Sequence, residues 1–146
     1  MIQEYKNILV AIDGSESANL AFKKAIAIAK RNNAKLYIVH VVDTRAFQPY
    51  ESFDKGVTDS VKDEATNILT KCEQSALQKG VANVETIIKY GSPKKAIGTE
   101  VPKEKNIDLI ILGATGLNTI ERFFIGSVSE NVIRSAKCDV LIVRKE

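Results

Sequence analysis

The sequence predicts an α/β fold, an open parallel sheet with helices on both faces. Strand-like and helix-like segments alternate along the whole chain in the order β-α-β-α-β-α-β-α-β. Such alternation implies right-handed crossovers and a parallel sheet. The clearest strand segments, Asn7-Ile8-Leu9-Val10-Ala11-Ile12 and Leu109-Ile110-Ile111-Leu112, are continuous apolar runs. Strands covered on both faces read this way. The chain has 146 residues, 45% hydrophobic and 27% charged, which is the size and composition of an ordinary globular domain. Residues 1–146 are therefore read as one domain, with no internal repeat or linker.

Each element has its own signal. The first strand stops at Asp13-Gly14-Ser15. A helix follows, with Ala18, Ala21, Phe22, Ala25 and Ala29 spaced by three and four and lysines mostly opposite. Asn32-Asn33 ends it. Asp13 reads either as the cap of this helix, in a box with Glu16, or as a ligand for a ribose or a magnesium ion. The second strand is Leu36 to Val42, stopped by Asp43. A polar stretch with Pro49 and Gly56 reads as a loop. A long helix then carries Val57, Val61, Ala65, Ile68, Cys72 and Ala76 on one stripe and stops at Gly80. The third strand, Val84 to Tyr90, alternates only partly, as an edge strand does. Ser92 caps and Pro93 opens the next helix. Pro102 is expected to leave that helix short or kinked, because proline lacks a donor and clashes with the preceding turn. The fourth strand spans Ile107 to Leu112, the last helix runs from Ser127 to about Ser135, and the last strand is Val140 to Val143.

Several function classes are excluded. The net charge is +3 and the basic residues are scattered, with no tryptophan, so nothing points to nucleic acid. No apolar run approaches the roughly 20 residues of a membrane-spanning helix. The first residues lack the pattern of a signal peptide, and the expected compartment is the cytoplasm. Two cysteines, Cys72 and Cys138, lie far apart without metal-ligand spacing; Cys72 reads as a small buried hydrophobe. The single histidine, His40, lies inside a strand and reads as packed and hydrogen-bonded.

In an open parallel sheet, ligands bind beyond the carboxyl ends of the strands, where strand order reverses. Small and polar residues gather after the first strand and after the fourth, at Gly113-Ala114-Thr115-Gly116. Nine residues separate Gly116 from Gly126-Ser127-Val128-Ser129 at a helix start. Glycines admit close backbone approach, and a helix N-terminus favours anions. The segment therefore reads as a cradle for phosphates, against the plainer reading of a turn and a capped helix. It is neither a Walker A loop, for Gly126 is followed by Ser127, nor a dinucleotide fingerprint, for Asp13-Gly14-Ser15-Glu16 follows the first strand. Phe123-Phe124-Ile125 reads as a loop anchor on the core, or as a partner contact.

These residues resemble the universal stress protein family. The likeness runs over nearly the whole chain: Ile8 to Ser15, His40-Val41-Val42-Asp43, Gly91-Ser92-Pro93, Asp108 to Gly113, and Gly113-x2-Gly116-x9-Gly126-Ser127. The last pattern marks the subgroup that binds ATP. The resemblance implies a five-stranded sheet in the order 3-2-1-4-5, the adenine-nucleotide alpha hydrolase-like fold. It places Ala11, Ile12 and the Val41 backbone at adenine and Asp13 near the ribose and a phosphate-bound magnesium ion. It arranges Gly113, Gly116, Gly126, Ser127, Val128 and Ser129 around ribose and phosphates, with Leu112 leading into them. Gly113→Val is then expected to fill nucleotide space while the sheet still folds. The implied cofactors are ATP or AMP with Mg2+, and the implied partner is a second copy joined through Val140 to Val143. Thr115 departs from the pattern, since relatives often carry His, Arg or Lys there. The implied function is a nucleotide-dependent regulator or sensor in the stress response, with no catalytic residue named. The alternatives are a slow ATPase or phosphotransferase, with Arg122 as the nearby cation, and an interaction protein with a vestigial nucleotide site.

Overall fold

The computed structural model of the chain describes residues 5–44, 55–115 and 125–144, and only the backbone of 55–58. In chain order the elements are β1 (Asn7–Ala11), α1 (Glu16–Asn32), β2 (Lys35–Val42), α2 (Lys55–Gln78), β3 (Asn83–Tyr90), α3 (Pro93–Lys95), a π-helical turn (Ala96–Glu100), α4 (Val101–Lys105), β4 (Leu109–Gly113), α5 (Ser127–Ser135) and β5 (Asp139–Val143). The strands form one sheet in the order β3-β2-β1-β4-β5, with every pairing parallel.

The apolar runs explain the layers. Successive strand residues face opposite sides of a sheet. Ile8 and Val10 accordingly join α1 and α2 in one core, with Ala21, Phe22, Ala25, Leu69 and Ala76. Leu9 points the other way, into a core with Ile97, Val101 and Val132 from the π turn, α4 and α5. Ile8, Leu9, Val10, Ile110 and Ile111 are fully buried, as central strands between two helical layers must be. The outermost strands differ: every residue of β3 between its ends is half-buried, which explains its weaker alternation.

Three expectations are corrected. Ser15, not Asp13, caps α1: its hydroxyl accepts the Ala18 amide at 3.0 Å. Asp13 sits one turn outside and accepts the Ser15 amide at 2.9 Å. The second helix begins at Lys55, so Gly56 is helical rather than part of the loop. The α-helix opened by Pro93 is short, as expected, and ends at Lys95, but the chain then continues through a π turn and on past Pro102 in helical form. Proline cannot donate, and its ring strikes the carbonyl four residues back, here that of Gly98. The wider π turn before it, closed by the Val101 amide on the Ala96 carbonyl, gives the ring room. Ser92 and Pro93 open this helical stretch as expected, with Ser92 accepting from the Lys95 amide. Cys72 packs against the α1–α2 core, and burial pushes its thiol up from its ordinary pKa.

Candidate functional site

The order of strands reverses between β1 and β4, which pair with Val10 opposite Ile111. Their carboxyl ends therefore open onto one crevice. Three chain segments meet there: the β1–α1 corner, residues 113–115 after β4, and the start of α5. Each of residues 113–115 is held by a different neighbour. The Ser129 hydroxyl donates to the Gly113 carbonyl at 2.8 Å. The Gly126 amide donates to the Ala114 carbonyl at 2.7 Å, and the Ala114 amide donates to Val143 of β5 at 3.0 Å. The Thr115 amide donates to the Ser17 hydroxyl at 3.3 Å.

Gly113 is small for a reason the sequence did not show. A Cβ there would overlap the Ser17 hydroxyl and lie 2.6 Å from both the carbonyl carbon and oxygen of Ser17. The missing side chain thus makes room for the backbone of α1, not for a ligand. A valine at this position drives β4 and α1 apart, which corrects the expectation that it would spare the fold.

At the β1–α1 corner, Gly14 adopts φ +84°, a left-handed conformation that glycine takes without steric cost. That turn leaves Asp13 exposed, with one carboxylate oxygen on the Ser15 amide. The corner is braced from β2. The Ile12 amide donates to the Val39 carbonyl at 2.9 Å, and Nδ1 of His40 lies 2.8 Å from the Ile12 carbonyl. His40 is therefore a hydrogen-bonded strand residue, as its position implied.

The expected adenine-side residues divide between the two faces. Ala11, Val41 and Val128 are half-buried and pack, with buried Leu112, on the α5 side of the sheet. Together they form an apolar wall at the crevice. Ile12 faces the opposite core, 4% exposed, so it reaches this wall through its backbone alone.

α5 begins at Gly126, which supplies no side-chain cap. The first amides of a helix have no partner within it, and those of Ser127, Val128 and Ser129 have none among the described residues. Ser127 is exposed, whereas Ser129 is buried with its proton engaged. The Gly126 amide is also engaged. The anion-binding capacity at α5 thus lies in the first-turn amides and the Ser127 hydroxyl. Gly116, Arg122 and Phe123-Phe124 lie outside the described residues. Among the described residues no three His, Cys, Asp or Glu side chains gather as a metal site. Asp13 retains one unengaged carboxylate oxygen, the donor type magnesium takes when phosphates complete its shell. The donor set fits that ion only together with a phosphate ligand. Ser17 was missed in the sequence, and Ala114 and Thr115 stood out there only as part of the Gly113–Gly116 segment, without their partners. A serine two residues past a helix cap carries no signal of its own.

A family model described as "Universal stress protein family" matches residues 4–144. A Staphylococcus aureus (strain USA300) protein named for the same family is 49% identical over 142 residues, covering 97% of this chain and 86% of its own. The structure of universal stress protein UspA from Lactobacillus plantarum superimposes with a TM-score of 0.82 at 36% identity, covering 96% of this chain and 98% of its own. A universal stress protein described in complex with cAMP superimposes at 0.73 with 31% identity over 96% of this chain and 97% of its own. Together with the sheet order and the switch-point crevice, these likenesses establish that the chain belongs to the universal stress protein family.

Proposed function

We propose that the chain binds an adenine nucleotide, ATP or AMP with Mg2+, at the β1/β4 crevice and acts as a nucleotide-dependent regulator in the cytoplasmic stress response. The observation that carries this reading is the meeting of the Asp13 corner, the 113–115 segment and the free first-turn amides of α5 at one switch point. Adenine lies against Ala11, Val41 and Leu112, with the Ile12 backbone behind it. Ribose and phosphates lie along Gly113, Gly116, Gly126, Ser127, Val128 and Ser129. Asp13 holds magnesium, which offsets the repulsion between its carboxylate and the phosphates. The relative described in complex with cAMP supports an adenylate ligand. Segments 11–17, 113–115 and 126–129 contain no lysine or arginine, and phosphoryl transfer needs positioned charge stabilisation. Binding is therefore read as the primary role, with Arg122, between Gly116 and Gly126 in sequence, the one cation of that stretch that a slow hydrolysis would use.

The chain acts as a homodimer. β5 is an outermost strand, and Val140 to Val143 are all half-buried in the single chain. An open apolar edge of this kind is a template for pairing with another strand.

Calorimetric titration with Mg-ATP, AMP, cAMP and adenosine tests the nucleotide reading. Saturable adenylate binding is expected, and Asp13→Asn weakens Mg-ATP more than adenosine. Equal losses contradict the metal role. A folded protein that binds none of the four contradicts the reading and favours an interaction protein.

A further inference from the structure

The geometry points to Ser17 as a positioning residue for the phosphate side of the crevice, an inference that rests on the adenylate reading above. Ser17 lies in the first turn of α1 and is 7% exposed. Its hydroxyl accepts the Thr115 amide, 98 residues further along the chain. The bond is partly buried, and a lowered local dielectric strengthens it. Gly113 makes it possible: without a side chain, the end of β4 lies directly on the Ser17 backbone. The two contacts, one polar and one steric, meet at the same residue, and both join the helix that starts beside Asp13 to the segment that leads toward α5.

Residues 113–115 are thereby suspended between α5, β5 and α1. Ser129 and Gly126 fix the segment to α5, Val143 fixes it to β5, and Ser17 fixes it to α1. Removing the Ser17 bond frees residue 115 while leaving the other ties in place. The spacing between the Asp13 corner and the phosphate segment then loosens. A ligand that spans both, with base, ribose and phosphates, loses affinity. A ligand confined to the adenine and ribose side does not. Ser17 acts through the Thr115 backbone and does not touch the nucleotide.

The test compares Ser17→Ala, Ser17→Cys and Ser17→Thr with the parent, all in the full-length chain. Cysteine keeps the volume but accepts weakly, and threonine keeps the hydroxyl. Two quantities are read: hydrogen exchange of the Thr115 amide by NMR, and affinity for Mg-ATP against adenosine. Expected are Thr115 exchange faster by about tenfold or more in the Ala and Cys variants, with Ile110 and Ile111 as protected as in the parent. Mg-ATP affinity falls about three- to tenfold, the worth of one neutral hydrogen bond, while adenosine affinity changes by less than about twofold. Threonine restores both. Unchanged Thr115 exchange overturns the proposal. So do equal losses for Mg-ATP and adenosine, or a folded Thr variant no better than alanine. Loss of folding in both the Ala and Cys variants also overturns it, since Ser17 is then a core residue first. If the parent binds no adenylate, the nucleotide reading fails by itself, and the Thr115 exchange still decides whether Ser17 sets the segment.

Discussion

Two glycines with crowded surroundings differ in what crowds them. At Gly113 the neighbour is the Ser17 backbone, 2.6 Å from a built Cβ. At Gly98 it is the far end of a side chain, the Ser135 hydroxyl at 2.7 Å. Backbone cannot step aside and a hydroxyl can. Gly113→Ala is therefore expected to destabilise by about 1–3 kcal/mol, as overpacking does, lowering the melting temperature by roughly 3–10 °C. Gly98→Ala costs less, because Ser135 rotates and alanine gains up to about 1 kcal/mol of helix propensity over glycine. Thermal melts of the two variants check the order, and equal losses contradict it. At Ser15, alanine removes the α1 cap and costs about 1 kcal/mol, whereas a melt unchanged from the parent contradicts that capping role. This scale was legible in the sequence only in part. Gly113 and Asp13 stood out, but their local tasks did not. The sequence shows that a residue is small or acidic, not which distant backbone it meets.

Among the elements, the helical stretch around Pro102 departs furthest from its sequence signal. Pro102 predicts an interruption, and the chain answers with a wider turn instead of a break. The π turn depends on the packing of Ile97 and Val101 against the sheet and α5, a tertiary term that local propensity does not contain. The same side of the sheet carries an ionic cluster across β2, β3 and α4. Glu85 bonds Lys105 at 2.8 Å and Lys35 at 3.0 Å, and the Lys35 ammonium lies 4.8 Å from the Tyr37 ring centre. Hydrogen bonds from Lys105 and Lys35 hold the Glu85 carboxyl below its ordinary pKa, and Glu85 in turn raises both lysines. The lowered carboxyl contributes stability above its unfolded pKa and loses it as pH falls through the folded value. The raised lysines contribute below their unfolded pKa and lose that as pH rises through theirs. The gap in melting temperature between the parent and Glu85→Gln is thus widest near neutrality. It is small, of order 1 °C, because exposed pairs contribute little. It closes at acid pH below the lowered Glu85 pKa, where that carboxyl is neutral in the folded and the unfolded chain alike. A gap that persists there shows that the substitution acts through packing.

The whole molecule was the most legible level. Alternating segments and buried runs specify the parallel sheet, and its order follows from the family likeness. The candidate site was legible as a place, the ends of β1 and β4, because topology brings these together whatever the loops do. Its internal bracing through Ser17, Ser129 and His40 was not, since each bond joins residues far apart in sequence. The proposed dimer belongs to this scale too. In β5 the Val143 carbonyl faces β4, so alternation directs the Ile142 backbone toward the open edge. Ile142→Pro removes an edge donor while sparing the β4 ladder, and Ile142→Ala controls for the lost side chain. Light scattering is expected to give a two-chain mass for the parent and the alanine variant and a one-chain mass for the proline variant. A one-chain parent at micromolar concentration contradicts the dimer.

On the proposed reading the β1 corner, the end of β4 and the start of α5 share one adenylate. Amide NMR of the labelled protein during a Mg-ATP titration decides this. Saturable shifts are expected to cluster at Asp13-Gly14-Ser15, at Gly113-Ala114-Thr115 and at Ser127-Val128-Ser129, with one common affinity. Shifts confined to one of these segments, or centred elsewhere on the sheet, contradict it.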